Sequence, residues 1–215
     1  MSAACELDHL IVGADTLAQG ADFIEDLLGV KPQAGGRHLM MGTHNMVLKL
    51  GARAYLEVIA IDSAGEAPRR PRWFGLDDAG TRQRLLERPR LLTWAARTHD
   101  IDQAVRQCSL PLGVVHPMER GAYQWRITIP DDGALVCSGL VPALIQWDCA
   151  THPADNLEDR GCALINIEGQ HPAPADAATV LAALDLERIF KLRQAGHTRL
   201  AATIRGPRGL CTISS

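Results

Sequence analysis

The chain has 215 residues, 47% of them hydrophobic and 22% charged, with a net charge of −3 at pH 7. This is globular composition, long enough for one large domain or two small modules, and a pI near 6.2 gives no electrostatic case for a nucleic-acid partner. No apolar run is long enough to span a bilayer, so no membrane partner is expected, and no signal-peptide pattern opens the chain.

In chain order, "LDHLIVGAD" (7–15) is an apolar strand. Leu17, Ala21, Ile24, Leu27 and Leu28 then recur at helical spacing, with Asp15 or Thr16 as the cap and Gly29 as the stop. The segment "GGRHLMMGTHNMVLKLG" (35–51) opens as a glycine-rich loop and closes as the strand "HNMVLKLG". "AYLEVIAID" (54–62) is a further strand, apolar on both faces, so residues 1–62 read as a first βαβββ module. Residues 63–90 are a connecting loop, with the basic stretch "APRRPRWFG" (67–75) read as solvated.

A second β–α–β–β order follows over 91–150: strand 91–100, helix 101–113, and strands 121–130 and 141–148. Its similar spacing is the mark of an internal duplication. Residues 151–215 add a β–α–β–β extension, with strand 162–169 and helix 174–186, and one reading makes it a third, degenerate module. Strands outnumber helices throughout, which indicates an α+β protein with mostly antiparallel sheets. The six cysteines are dispersed without a CxxC pair, as expected of packed, reduced thiols in a cytoplasmic protein.

Two polar residues stand out on apolar strands. Glu57 shares a face with Tyr55, Ile59 and Ile61, and a carboxylate there is expensive unless it is paired. His9 shares a face with Leu7 and Ile11. In the third strand His44 lies with Met46, Leu48 and Leu50, opposite Asn45, Val47 and Lys49. If these strands share one curved sheet, His9, His44 and Glu57 converge, and imidazole with carboxylate is a ligand set for Zn, Ni, Mn or Fe. The same residues also read as hydrogen-bonded core histidines and a Glu57–Arg126 salt bridge. No local metal motif decides between the two.

"LDHLIVGADTLAQGADFIEDLLGVKP", "GGRHLMMGTHNMVLKLG" and "AYLEVIA", with "RWFGLD", "WAARTHDID", "PALIQW", "HPA" and "PRGLCTI" further on, together resemble the glyoxalase-like family of the vicinal oxygen chelate superfamily. The resemblance implies paired βαβββ modules forming a cupped, mostly antiparallel sheet with helices outside, around a divalent metal that chelates vicinal substrate oxygens. It places His9 and Glu57 on the metal positions of the first module. In the second module the nearest counterparts are Trp94, which cannot ligate, and Gln146, a weak ligand; His44 or His152 would fill a gap. Cys211, the counterpart of Glu57 in the last unit, reads as a buried thiol.

Two functions follow as expectations. One is a metal-dependent lyase, isomerase or dioxygenase, with Glu57 and His44 catalytic, His9, Glu57, His44 and Gln146 on the metal, and Arg37, His38, Asn45, Trp94 and Arg126 on the substrate. In it Arg37 and His38 sit at the rim of the cup. The other is a metal-free small-molecule binding protein, with Trp94, Trp125, Trp147 and Tyr123 lining the cup. The cup closes within one chain or between two copies of a homodimer.

Overall fold

A computed structural model describes residues 4–215. In chain order the first half contains β1 (Glu6–Gly13), α1 (Leu17–Leu28), β2 (Gln33–His38), β3 (Thr43–Gly51), β4 (Ala54–Ile61) and α2 (Ala79–Glu87). The second half contains β5 (Arg90–Arg97), α3 (Ile101–Gln107), β6 (Val114–Arg120), β7 (Tyr123–Ile129) and β8 (Ala143–Trp147). The last unit is β9 (Ala163–His171), α4 (Ala175–Ala183), β10 (Phe190–Gln194), β11 (Arg199–Gly206) and β12 (Gly209–Ser214).

Strands β1 to β8 form one sheet in the order β2-β3-β4-β1-β5-β8-β7-β6. The two halves mirror each other about the antiparallel β1–β5 pair, and each half has its first strand parallel to its last. The sheet curls strongly into a half-barrel, an α+β cup. The C-terminal unit shares the element order of the halves but not their pairing. Its sheet runs β10-β9-β11-β12, with the first strand inside and parallel to the second.

Both faces of the large sheet are covered, and strand parity divides them. One face carries Leu10, Val12, Leu56, Val58, Trp94 and Leu144 and packs in one core with α1 and the C-terminal unit. Trp94 stacks on Phe190 of the small sheet with 5.1 Å between ring centres. The other, concave face carries Ile11, Ile59, Ala95, Ile127 and Ile145, closed over by Trp73, Phe74 and Leu76 from the 63–90 segment.

Helix α1 is capped as its sequence predicts, by Thr16 at one end and by left-handed Gly29 at the other. Three segments differ from expectation. Residues 33–38 are the edge strand β2, although two glycines interrupt any apolar alternation. Residues 114–120, to which no element was given, are the other edge strand, β6. The supposed loop 63–90 contains α2, capped by Asp78. Only Thr81 and Leu85 of α2 are buried, so it has no apolar stripe to detect.

Candidate functional site

Glu57 lies buried on the concave face of β4. Its Oε1 accepts a 2.5 Å hydrogen bond from Asn45 Nδ2 on the adjacent β3. His9 Nε2 faces Oε2 at 3.7 Å, and His38 Nε2 lies 3.9 Å from Oε1. Tyr55 stacks on His9 with ring centres 4.5 Å apart. Trp73, Phe74, Trp125 and Trp147 wall this inner chamber, which encloses a void of about 20 Å³.

Asn45 is oriented from both ends, since its Oδ1 accepts from Gly36 N–H at 2.8 Å and from Arg120 at 3.3 Å. Glycine is required at 35, because a Cβ there would fall 2.0 Å from Asn45 Oδ1. Arg120 Nη1 also donates to His38 Nε2 at 3.1 Å, while His38 Nδ1 meets Thr43 Oγ1 at 3.2 Å. Burial pushes the His38 pKa down to about 4, with the Arg120 charge acting in the same direction and Glu57 opposing it, so the ring is neutral.

His9 is held from behind. Successive strand residues normally point to opposite faces, but the β1–β5 register shifts between Leu7 and His9. This irregularity coincides with Asp8, whose Oδ1 is 2.7 Å from His9 Nδ1. Asp8 Oδ2 accepts from Trp147 Nε1 at 2.9 Å and from His152 Nε2 at 3.1 Å. Burial opposes ionisation of Asp8, but the hydrogen bonds from His152 and His9 outweigh it and hold the carboxyl well below the usual range. An ionised Asp8 only accepts, so Nδ1 of His9 carries a proton and Nε2 is the ring nitrogen that faces the chamber.

Several expected site residues lie elsewhere. Trp94 is on the convex face and donates Nε1–H to Leu140 O; the cup-facing residue of β5 is Ala95, paired with His9. Gln146 points toward α3 and accepts from Ile101 N–H, while Ile145 lines the chamber. Arg126 pairs with Asp148 and Asp102, not with Glu57. His44 lies on the face opposite Asn45, in a separate surface pocket beside the start of α1. His38, expected at the rim, is buried inside, and Arg37 stands at the mouth, tied to Asp62. The structure therefore brings together His9, His38, Asn45 and Glu57. Sequence reasoning gave no site role to Asp8, Trp73, Phe74 or Arg120. An aspartate next to His9 in an apolar strand was a usable signal, whereas Arg120 reads as an ordinary residue before a turn.

The donor set does not make a closed metal site. His9 and Glu57 supply two donors, Ala95 and Ile145 supply none, and His38 Nε2 is engaged by Arg120. Among the described residues no three His, Cys, Asp or Glu side chains are placed to hold one ion.

The large sheet is thus a cup of two mirrored βαβββ halves with a buried carboxylate on its floor. The chain belongs to the glyoxalase-like domain family, which it matches over residues 7–184. Among solved structures it is similar to a hypothetical protein from Staphylococcus aureus, with 15% identity and a TM-score of 0.64 over 90% of this chain and 87% of that one. It is also similar to methylmalonyl-CoA epimerase from Mycobacterium tuberculosis, with 17% identity and a TM-score of 0.46 over 70% and 92% of the two chains. A variant of 4-hydroxymandelate synthase from Streptomyces coelicolor gives 16% identity and a TM-score of 0.49 over 100% of this chain and 63% of that one. At 15% identity the likeness to the Staphylococcus aureus protein is one of fold. A comparison with curated proteins gives no significant match.

Proposed function

We propose that the cup is the active site of a proton-transfer enzyme of the isomerase or lyase type, acting on a small molecule with adjacent oxygens such as a 2-hydroxy ketone. The observation that supports this is the position of Glu57. It is a buried carboxylate with one oxygen fixed by Asn45, and among the described residues no hydrogen-bond donor reaches its Oε2. A carboxylate held this way is a general base aimed at a substrate C–H.

Removing that proton from the hydroxyl-bearing carbon next to the carbonyl leaves an enediolate. The guanidinium of Arg120, which lines the same chamber, supplies positive potential where its charge develops. His9 Nε2, next to Oε2, accepts or returns the proton while Asp8 stabilises the ring in either state. The apolar walls keep bulk water away from the intermediate.

A second reading adds a divalent ion, Zn, Ni, Mn or Fe. It is favoured by the orientation of His9, whose Nε2 faces Glu57 while a carboxylate holds the far nitrogen, as in metal-bound histidines. His9 and Glu57 would hold the ion, substrate oxygens would complete its shell, and no step here depends on it.

The test is deuterium incorporation from D2O into a panel of 2-hydroxy ketones, followed by NMR, with and without a chelator. Wild-type protein should exchange the carbon-bound proton, and Glu57→Gln should lower the rate by roughly 10²–10⁴-fold. Equal exchange in the variant, or none across the panel, sinks the base and favours the binding-protein reading. Elemental analysis of untagged protein and of Glu57→Gln separates the ion reading: stoichiometric metal lost in the variant supports it.

A further inference from the structure

Arg120 is a cation set in the cup with no carboxylate in direct contact with it. Its Nη1 donates to two neutral acceptors, His38 Nε2 and Asn45 Oδ1, and its guanidinium carbon lies 5.9 Å from the centre of the Tyr123 ring. Among the described residues it makes no ion pair. Glu57, the carboxylate of the inner chamber, reaches it only through Asn45 and His38, and exposed Glu119 stands next to it on the rim; of the other charges nearby, Arg37 holds Asp62 and Arg126 holds Asp148.

Arg120 also stands at a junction. Together with His38 and Trp125 it lines both the inner chamber and an outer groove of about 1060 Å³ between β2 and β6. Leu39 and Met40 form one apolar wall of this groove, and Pro117 and Met118 form the other. Leu39 is 81% exposed and Met40 41%, in the short turn between β2 and β3. Large apolar side chains left open beside an unpaired guanidinium match a ligand that has both an apolar body and an anionic group.

We infer that the groove binds a monoanionic organic acid, with its carboxylate on Arg120 and its apolar body between Leu39–Met40 and Pro117–Met118. The inference deepens the reading of the cup as a substrate site and names the substrate class. One unmatched cation selects one negative charge, and exposed Glu119 on the same rim disfavours a second. The planar guanidinium suits a carboxylate through paired N–H···O bonds.

The test is calorimetric binding of naphthalene-2-carboxylate and its neutral isostere naphthalene-2-carboxamide, which needs no turnover. Wild-type protein should bind the acid at least about tenfold tighter than the amide. Arg120→Gln should erase that difference and leave the amide affinity within about twofold, whereas Arg120→Lys keeps part of it. A Leu39→Ser/Met40→Ser variant should weaken acid and amide alike. Equal binding of the two probes, no binding of either to folded protein, or an acid preference that survives in Arg120→Gln overturns the inference. Glu57→Gln keeps the acid preference whether or not Glu57 is the base, so failure of the chemistry and failure of the binding site are read separately.

Discussion

Asp8 shows how a single buried charge is kept ionised. Three N–H groups, from His9, Trp147 and His152, converge on its two oxygens. Asparagine has one acceptor oxygen and two donors of its own, so Asp8→Asn leaves a neighbour unsatisfied. We expect it to cost about 1–3 kcal/mol in chemical denaturation, the range for leaving a buried donor unsatisfied. It should also shift the pH profile of any activity, because the proton on His9 Nδ1 is no longer fixed. His38 makes a different prediction. Its pKa is depressed from 6.5 to about 4, so the unfolded chain binds more protons between those values. Its contribution to stability is complete above pH 6.5 and is lost as pH falls toward 4, amounting to at most about 3 kcal/mol. Melting temperatures across that window should fall less steeply in His38→Gln than in the wild type.

At the scale of elements, the pair β2–β3 builds one edge of the cup by close approach. Gly35 brings its backbone so near β3 that Asn45 lies where a Cβ would be, and a Cβ on Gly36 would meet Arg120 Cδ at 2.6 Å. The Arg120 side chain is flexible and can yield, but Asn45 is anchored at both ends. Gly35→Ala should therefore push Asn45 off Glu57, costing about 1–3 kcal/mol of stability and lowering the exchange rate more than Gly36→Ala does. Paired denaturation curves and exchange assays check both parts. Strand parity was legible in these elements, for the faces of β3 and β4 alternate as their sequences say. What sequence left open was which face of β3 is concave. Met46, Leu48 and Leu50 look like the site face because they are apolar, yet they pack in the core shared with α1, and polar Asn45 turns into the cup. The same one-residue choice separates Trp94 from Ala95 and Gln146 from Ile145.

At the scale of the molecule, the C-terminal unit supports the cup from behind the large sheet. Phe190 stacks on Trp94 behind β5, and the segment leading into the unit delivers His152 to Asp8, 144 residues away. Phe190→Ala should cost about 3–5 kcal/mol, as for a large buried aromatic, with chamber residues unchanged in position. A chain ending at 150 should lose cooperative unfolding altogether, since the convex face of the large sheet would be bare and Asp8 would lack one of its donors. Calorimetry and near-ultraviolet dichroism distinguish the two cases. No helix among the described residues is long and apolar enough to cross a membrane.

The sequence by itself determined β1, β3 and β4 of the first module, the capped helix α1, and the placement of Glu57 and His9 on buried strand faces. These follow from periodicity and from the cost of burying charge, both local properties of the chain. Only the tertiary structure decided which sheet face is the cup, because both faces are covered and both are apolar. It also decided that Asp8 turns beside His9, through a register shift set by pairing with β5. Arg120 reaches the chamber for the same kind of reason: β6 closes the half-barrel opposite β2, a placement fixed by long-range strand order that no local pattern encodes.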